Sequence, residues 1–265
     1  MAGNTNGSTS QPALEVKDVS KNFGAVQALK SVSFDITAGK ITGLVGDNGA
    51  GKSTMVKVLS GVHAPSSGTL LLEGQPTVFA NPREARNAKI ETVFQTLELV
   101  EEFDVAENFY MGQELTRFGP LKVRRTAEMR KEAAIAVGEL GINIPGGVTR
   151  RVRTMSGGQR QAVAIARAAF WSSKVLLLDE PTAALGVRET AQVLELIETL
   201  RDQGAAILLI SHNMKDVERL CDEVVVLRQG RKSGHLSGDF TGQDCVSYIT
   251  GAVSDLDPDT EAAGR

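Results

Sequence analysis

The stretch Gly46-Asp47-Asn48-Gly49-Ala50-Gly51-Lys52-Ser53-Thr54 constrains this chain more than any other, because it fits the phosphate-cradling pattern G-x-x-x-x-G-K-[ST] without a mismatch. Ile41-Thr42-Gly43-Leu44-Val45 before it is a short apolar run of buried-strand type, and Thr54 to Leu59 after it suits a helix. Strand, glycine loop and helix is the context the pattern requires. Three glycines let the backbone fold tightly enough to aim several N–H groups at one anion, and the helix N-terminus adds its partial positive charge. In such a loop Lys52 reaches the β- and γ-phosphates of a nucleoside triphosphate and the Ser53 hydroxyl ligates Mg²⁺. A glycine-rich turn that merely precedes a helix has no need of Lys and Ser in this register.

The 265 residues, 42% of them hydrophobic, suffice for one large domain or two small ones with a sizeable core. A net charge of −3 gives no electrostatic footprint for nucleic acid, so no nucleic-acid partner is expected. Cys221 and Cys245 are the only cysteines, too few for a disulfide framework or a structural zinc site, which points to a reducing compartment. Met1 to Gln11 is rich in Gly, Asn, Thr and Ser and lacks both the apolar core and the basic start of a signal peptide. The longest apolar runs, such as Ala205 to Ile210, are strand-sized, so any membrane role is expected to come through a partner.

Along the chain, residues 1–12 are expected to form a disordered tail. Leu14 to Val19 and Val32 to Ile36 alternate apolar with polar residues and read as half-buried strands of an antiparallel layer. Lys21-Asn22-Phe23-Gly24 between them reads as a turn in which Phe23 is either a platform for a flat base or an ordinary core ring. Glu91 to Phe94 is a strand with Gln95 at its end. From Thr96 to about Thr154 the period turns helical, and Ala127 to Leu140 is an amphipathic helix ended by Gly141. The arginines at 124, 125, 150, 151 and 153 mark either a solvated face or a partner surface.

Two further landmarks carry chemistry. Met155-Ser156-Gly157-Gly158-Gln159 precedes an alanine-rich helix for which Ser156 is a good N-cap. Its double glycine exceeds what capping needs and lets backbone N–H groups approach an anion, a second phosphate site. One nucleotide does not need two such helix ends from one chain, so Ser156 and Gly158 are expected to serve a nucleotide bound to another copy. Val175-Leu176-Leu177-Leu178 is a strand buried on both faces, with Asp179 and Glu180 at its tip. Two acids there are costly unless a cation or a reaction needs them; Asp179 would hold Mg²⁺ and Glu180 would polarise the attacking water. Val187 to Gln203 is a second amphipathic helix, Ala205 to Ile210 a buried strand ending in Ser211-His212, and Gln229-Gly230-Arg231 a hairpin turn after the strand Val224 to Leu227. His212 is placed to bond a γ-phosphate and the catalytic acid, or to act as a capping residue. Residues from about Ser254 are expected to be a disordered tail.

Taken together these residues resemble the nucleotide-binding subunit of an ATP-binding-cassette (ABC) transporter over residues 13–250. The order is Phe23 in the aromatic loop, Walker A at Gly46 to Ser53, Gln95 in the Q-loop, the signature Ser156-Gly157-Gly158-Gln159, Walker B from Val175 to Asp179, the catalytic Glu180 and the switch His212. The resemblance implies an α/β P-loop NTPase core with a mixed sheet, an antiparallel β-layer and an inserted helical subdomain near residues 96–154. It implies ATP and Mg²⁺ as cofactors, the metal held by Ser53, Gln95 and Asp179, and a head-to-tail homodimer in which each ATP lies between one Walker A and the partner's signature. It also implies permease subunits in the membrane, an indirect link to a solute-binding protein, and a place at the cytoplasmic face of the inner membrane. The P-loop, Pro181 to Val187 and Ile210 to Met214 are similar to the monosaccharide importers of the ribose and fructose type, and the single cassette is most similar to fructose-importer ATPases. Three positions depart from the family pattern. Met155 replaces a Leu, Phe23 a Tyr, and Gly186 an Asp that usually contacts the opposite subunit. Other readings are an ABC ATPase for another solute, a soluble ABC ATPase acting on DNA or ribosomes, and a small-molecule kinase. The DNA and ribosome types carry a long coiled coil or a second cassette, and a kinase has no use for Ser156 to Gln159.

Overall fold

A computed structural model of the chain describes residues 11–117, 123–172 and 174–255. Most of the two expected tails, 1–12 and 254–265, lies outside the described residues. In chain order the elements are β1 (Leu14–Phe23), β2 (Val26–Ile36), β3 (Ile41–Gly46), α1 (Lys52–Leu59), β4 (Ser67–Leu72), β5 (Gln75–Thr77), α2 (Pro82–Asn87), β6 (Ile90–Val93), α3 (Val105–Phe109) and α4 (Thr126–Glu139). There follow α5 (Gly157–Trp171), β7 (Val175–Asp179), α6 (Val187–Asp202), β8 (Ala206–Ile210), α7 (Met214–Leu220), β9 (Glu223–Arg228), β10 (Arg231–Ser237) and α8 (Gly242–Thr250). Among the described residues no helix is long and apolar enough to cross a membrane.

The strands form two sheets. One is antiparallel, in the order β2-β1-β4-β5; the other runs β10-β9-β3-β8-β7-β6 and is parallel except for the β9–β10 hairpin. The parallel strands read as continuous apolar runs because both faces are covered. In β7, Leu177 joins the core between the two sheets, which also takes Leu44, Leu208 and Ile210 together with Met55 and Leu59 of α1. Its neighbours Leu176 and Leu178 point the other way, onto Val193 and Ile197 of α6 and Ile165 of α5. The period of two in a strand divides one run of leucines between two cores.

A third core, built on Val105, Phe109, Tyr110, Met129, Ala133 and Val137, holds the segment between β6 and α5 together. The face expected of the 127–140 helix is the buried face of α4. Val163 and Ala166 of α5 also belong to this core, so α5 braces the helical segment on one side and the large sheet on the other. The arginines there face acids or backbone: Arg151 and Arg153 approach Glu102 at 3.6 and 3.3 Å, and Arg125 pairs with Glu128. That is the pattern of a solvated face.

Two local expectations change. The turn expected at Lys21 to Gly24 lies later, because β1 continues through Phe23 and pairs Phe23 with Val26 across a tight hairpin. Irregular register and left-handed backbone at Asp18 and Ser31 twist this hairpin, which blurs its alternation. At the other end, Asp255 accepts from the N–H of His235 and the hydroxyl of Tyr248, so β10 and α8 hold the chain at a residue the sequence assigns to the tail. Gln229 and Gly230 both take positive φ, 49° and 81°, the backbone a two-residue hairpin turn requires.

Truncating Leu177 to Ala should lower stability by about 2–5 kcal/mol, since the residue is wholly buried between the sheets. Urea denaturation of the two proteins measures the difference.

Candidate functional site

The parallel strands all end at one edge, and their exits carry the polar residues. Leu44 of β3 pairs with Ile210 of β8, and Ile210 pairs in turn with Asp179 of β7, so three strand ends share one rung. Past that rung the chain turns into the glycine loop, into Ser211-His212 and into Glu180. Here they enclose a cleft of ≈ 350 Å³.

The glycine loop is fixed by space as well as by φ. Gly46 has φ 150°, and a Cβ there would stand 2.2 Å from the carbonyl oxygen of Leu227. Gly51, at φ 110°, caps α1, and a Cβ on it would meet the Ala28 carbonyl at 2.8 Å. Only glycine allows the loop to pass so close to β2 and β9. Asn48, Gly49, Gly51, Lys52, Ser53 and Thr54 line the cleft, while the side chain of Ala50 is buried behind the loop. The Lys52 ammonium donates to the carbonyls of Gly46 at 2.5 Å and Asp47 at 3.0 Å. Burial pulls its pKa down from the usual lysine value, against the fields of Glu180, Asp47 and Asp179. A polyphosphate would supply the counter-charge this lysine lacks.

Across the cleft stand Asp179 and Glu180. Burial raises the Asp179 pKa, and the neighbouring Glu180 raises it further; Lys52 and Lys57 oppose. Glu180 adopts left-handed backbone at φ 53°, unusual for a residue with a side chain, and its N–H donates to the Ile210 carbonyl at 2.9 Å. Its Oε2 lies 2.7 Å from Nδ1 of His212. A carboxylate oxygen accepts, so Nδ1 is the donor and Nε2 is the free ring nitrogen. The His212 side chain is 74% exposed against 14% for Glu180, so the ring stands at the mouth and the acid within. Exposure on this scale rules out a core histidine.

Gln95 also lines the cleft, just past β6. Ser53, Asp179 and Gln95 are thus three hard-oxygen donors around one space, beside a carboxylate whose charge is poorly compensated. This donor set suits Mg²⁺, which binds through one or two carboxylates and completes its shell with water and phosphate. Among the described residues no group of three His, Cys, Asp or Glu side chains could hold a metal alone. Water and phosphate oxygens would complete the shell.

The remaining expected residues lie apart. Phe23, at the end of β1, is 44% exposed, which removes the reading of a core ring; it packs edge-on against His63 with centroids 5.2 Å apart and lies under Lys21. It does not line the cleft, and neither does any of Ser156, Gly157, Gly158 and Gln159. Ser156 does cap α5: its hydroxyl accepts from the Gln159 N–H at 3.3 Å, and the Gln159 side chain accepts from the Ser156 N–H at 3.1 Å. Sequence reasoning missed two residues. Asp216, buried on α7, accepts from the Thr182 hydroxyl at 2.7 Å and ties down the segment after Glu180. Ala28 of β2 forms part of the cleft wall. An acid on the inward face of a helix marks Asp216; nothing local marks Ala28.

The raised pKa of Asp179 has a sign. Its protonated form is favoured by folding, so its contribution is full below the ordinary carboxylate range and lost as pH rises through the raised value. Replacing Asp179 with Asn should therefore raise the Tm of the ligand-free protein at neutral pH, with a gain that vanishes as the pH approaches 4, about the ordinary aspartate value. Thermal melts from pH 4 to 8 measure this.

The sequence pattern of the family described as "ABC transporter" matches residues 29–183. The chain is 43% identical over 247 residues to the fructose import ATP-binding protein FrcA of Rhizobium meliloti, covering 91% of this chain and 95% of that protein. It is 40% identical over 236 residues to the xylose/arabinose import ATP-binding protein XylG of Sulfolobus acidocaldarius, covering 89% and 92%. The fold matches a dimeric ATP-binding cassette solved in a post-hydrolysis state with ADP and Pi, at a TM-score of 0.70 and 24% identity over 84% of this chain and 98% of that one. With the strand ends, glycine loop and acidic pair placed as described, the chain belongs to the ABC transporter family.

Proposed function

We propose that this protein is the ATP-hydrolysing subunit of an importer for a monosaccharide, working through separate membrane subunits. One observation carries the reading: Lys52, Ser53, Gln95, Asp179, Glu180 and His212 converge on one cleft while Ser156 to Gln159 stand outside it. The cleft is lined for the phosphates of a nucleotide, and the signature is not among its lining residues. A second copy turned head to tail supplies that signature, which gives a homodimer with two composite sites. The dimeric cassette of the same fold supports this, and the sugars named for the two relatives, fructose and xylose or arabinose, support a monosaccharide.

In the composite site the loop N–H groups and Lys52 would hold the β- and γ-phosphates, and Phe23 would stack on the base after a small shift of its hairpin. Mg²⁺ on Ser53, Asp179 and Gln95 supplies charge neutralisation of the phosphates. Glu180 would accept a proton from the attacking water, with His212 fixing its carboxylate. Loss of the γ-phosphate removes what bridges the two copies, and the dimer reopens.

A groove beside the segment that follows Gln95 suits a permease helix at the cytoplasmic face. Met111 and Trp171 give it apolar surface, with Arg86 near Glu91 and Glu98 at 3.7 and 3.6 Å. Such a permease would receive sugar from a solute-binding protein.

Glu180→Gln should leave ATP binding intact and lower hydrolysis by roughly 10²–10⁴-fold. Steady-state phosphate release together with calorimetric nucleotide affinity tests this; wild-type turnover would remove Glu180 from the reaction. Lys52→Ala should weaken ATP affinity itself by on the order of ten- to a hundredfold, the loss of a charge-assisted bond. Titration calorimetry reads it directly.

A further inference from the structure

A carboxylate of the same chain stands against the head of the signature helix. Glu189, in the first turn of α6, accepts from the Gly186 N–H at 3.3 Å. Its stem crosses the start of α5 so closely that a Cβ on Gly158 would stand 2.7 Å from Glu189 Cβ and 2.8 Å from its Cγ. Its carboxyl carbon would lie 3.2 Å from that same Cβ, so the charge stands at the head of α5; the Gly186 bond, with the Ser156 hydroxyl and the Gly158 N–H nearby, holds its pKa below the ordinary glutamate value. Those two groups at the head of α5 are the donors that the composite site needs for a phosphate. Within one protomer, then, the lack of a side chain at Gly158 serves first to admit Glu189.

We propose that Glu189 is an internal competitor for the signature donors, which a nucleotide held by the partner must displace before two copies can close. The proposal rests on the dimer reading above. A tethered carboxylate has a high local concentration at the helix N-terminus and meets its positive end at little entropic cost. An arriving γ-phosphate must displace the Glu189 carboxylate from beside Ser156 and Gly158 and must also approach its negative charge. Glu189 thereby raises the nucleotide level at which pairing starts. It also ties Gly186, the residue standing where other cassettes have an Asp, to the signature of its own chain rather than to the partner. The bond from Gly186 gives the carboxylate a place to remain once displaced.

The test uses the full chain carrying Glu180→Gln, so that hydrolysis does not dissolve the dimer. Dimer formation against MgATP is followed by light scattering after size exclusion, alone and with Glu189→Ala or Glu189→Gln added. Glu189→Ala should lower the half-point of pairing on the order of tenfold, with Glu189→Gln between it and the parent, because the amide keeps an acceptor but loses the charge. A residue that only capped α6 would act in the opposite sense, since loosening that helix would raise the half-point. An unchanged or higher half-point in both variants overturns the proposal while leaving the dimer standing. If the Glu180→Gln parent fails to pair at any MgATP level, the dimer reading fails and this proposal with it.

Discussion

The rung shared by Leu44, Ile210 and Asp179 is the constraint from which the rest of the site follows. Parallel hydrogen bonding fixes the three strands in register, so the residues just beyond each end emerge at one height. Phosphate loop, acidic pair and histidine come from distant parts of the sequence, yet one rung sets where each begins. Glu180 shows the dependence most clearly. Its N–H is bonded to Ile210 and its backbone is held at φ 53°, a conformation costing about 1–2 kcal/mol that only a rigid sheet edge would maintain.

The same edge concentrates charge that the protomer alone does not balance. Lys52 spends its hydrogen bonds on the carbonyls of its own loop, burial depresses its pKa, and burial with Glu180 raises that of Asp179. At the far landmark the Glu189 carboxylate stands against Gly158 at the head of α5. In the proposed dimer each half of the composite site would carry an internal substitute for phosphate: carbonyl oxygens on the lysine, a carboxylate beside the signature. Nucleotide binding would then exchange these partners rather than create new ones.

Most of this was legible in the sequence because the signals were local and periodic. The glycine loop, the apolar runs at β3, β7 and β8, the acids at a strand tip and the cap at Ser156 each lie within a few residues of what they determine. What escaped was set by contacts distant in sequence. The β1–β2 hairpin runs further than its alternation suggests, because bulges near Asp18 and Lys21 break the period of two. Phe23 reads equally as core or platform until the strand's position leaves it half open beside His63. Asp216 acquires its role from Thr182 on another element, and Glu189 from a helix start that α6 happens to cross.

The core of the account is that one chain does not complete a hydrolytic centre. A structure of the Glu180→Gln protein with ATP and Mg²⁺ tests it most directly. The account predicts that the Ser156 hydroxyl and Gly158 N–H of one protomer lie within hydrogen-bonding distance of the γ-phosphate held by Lys52 of the other. A γ-phosphate enclosed by a single chain, with both signatures still occupied by Glu189, would contradict it.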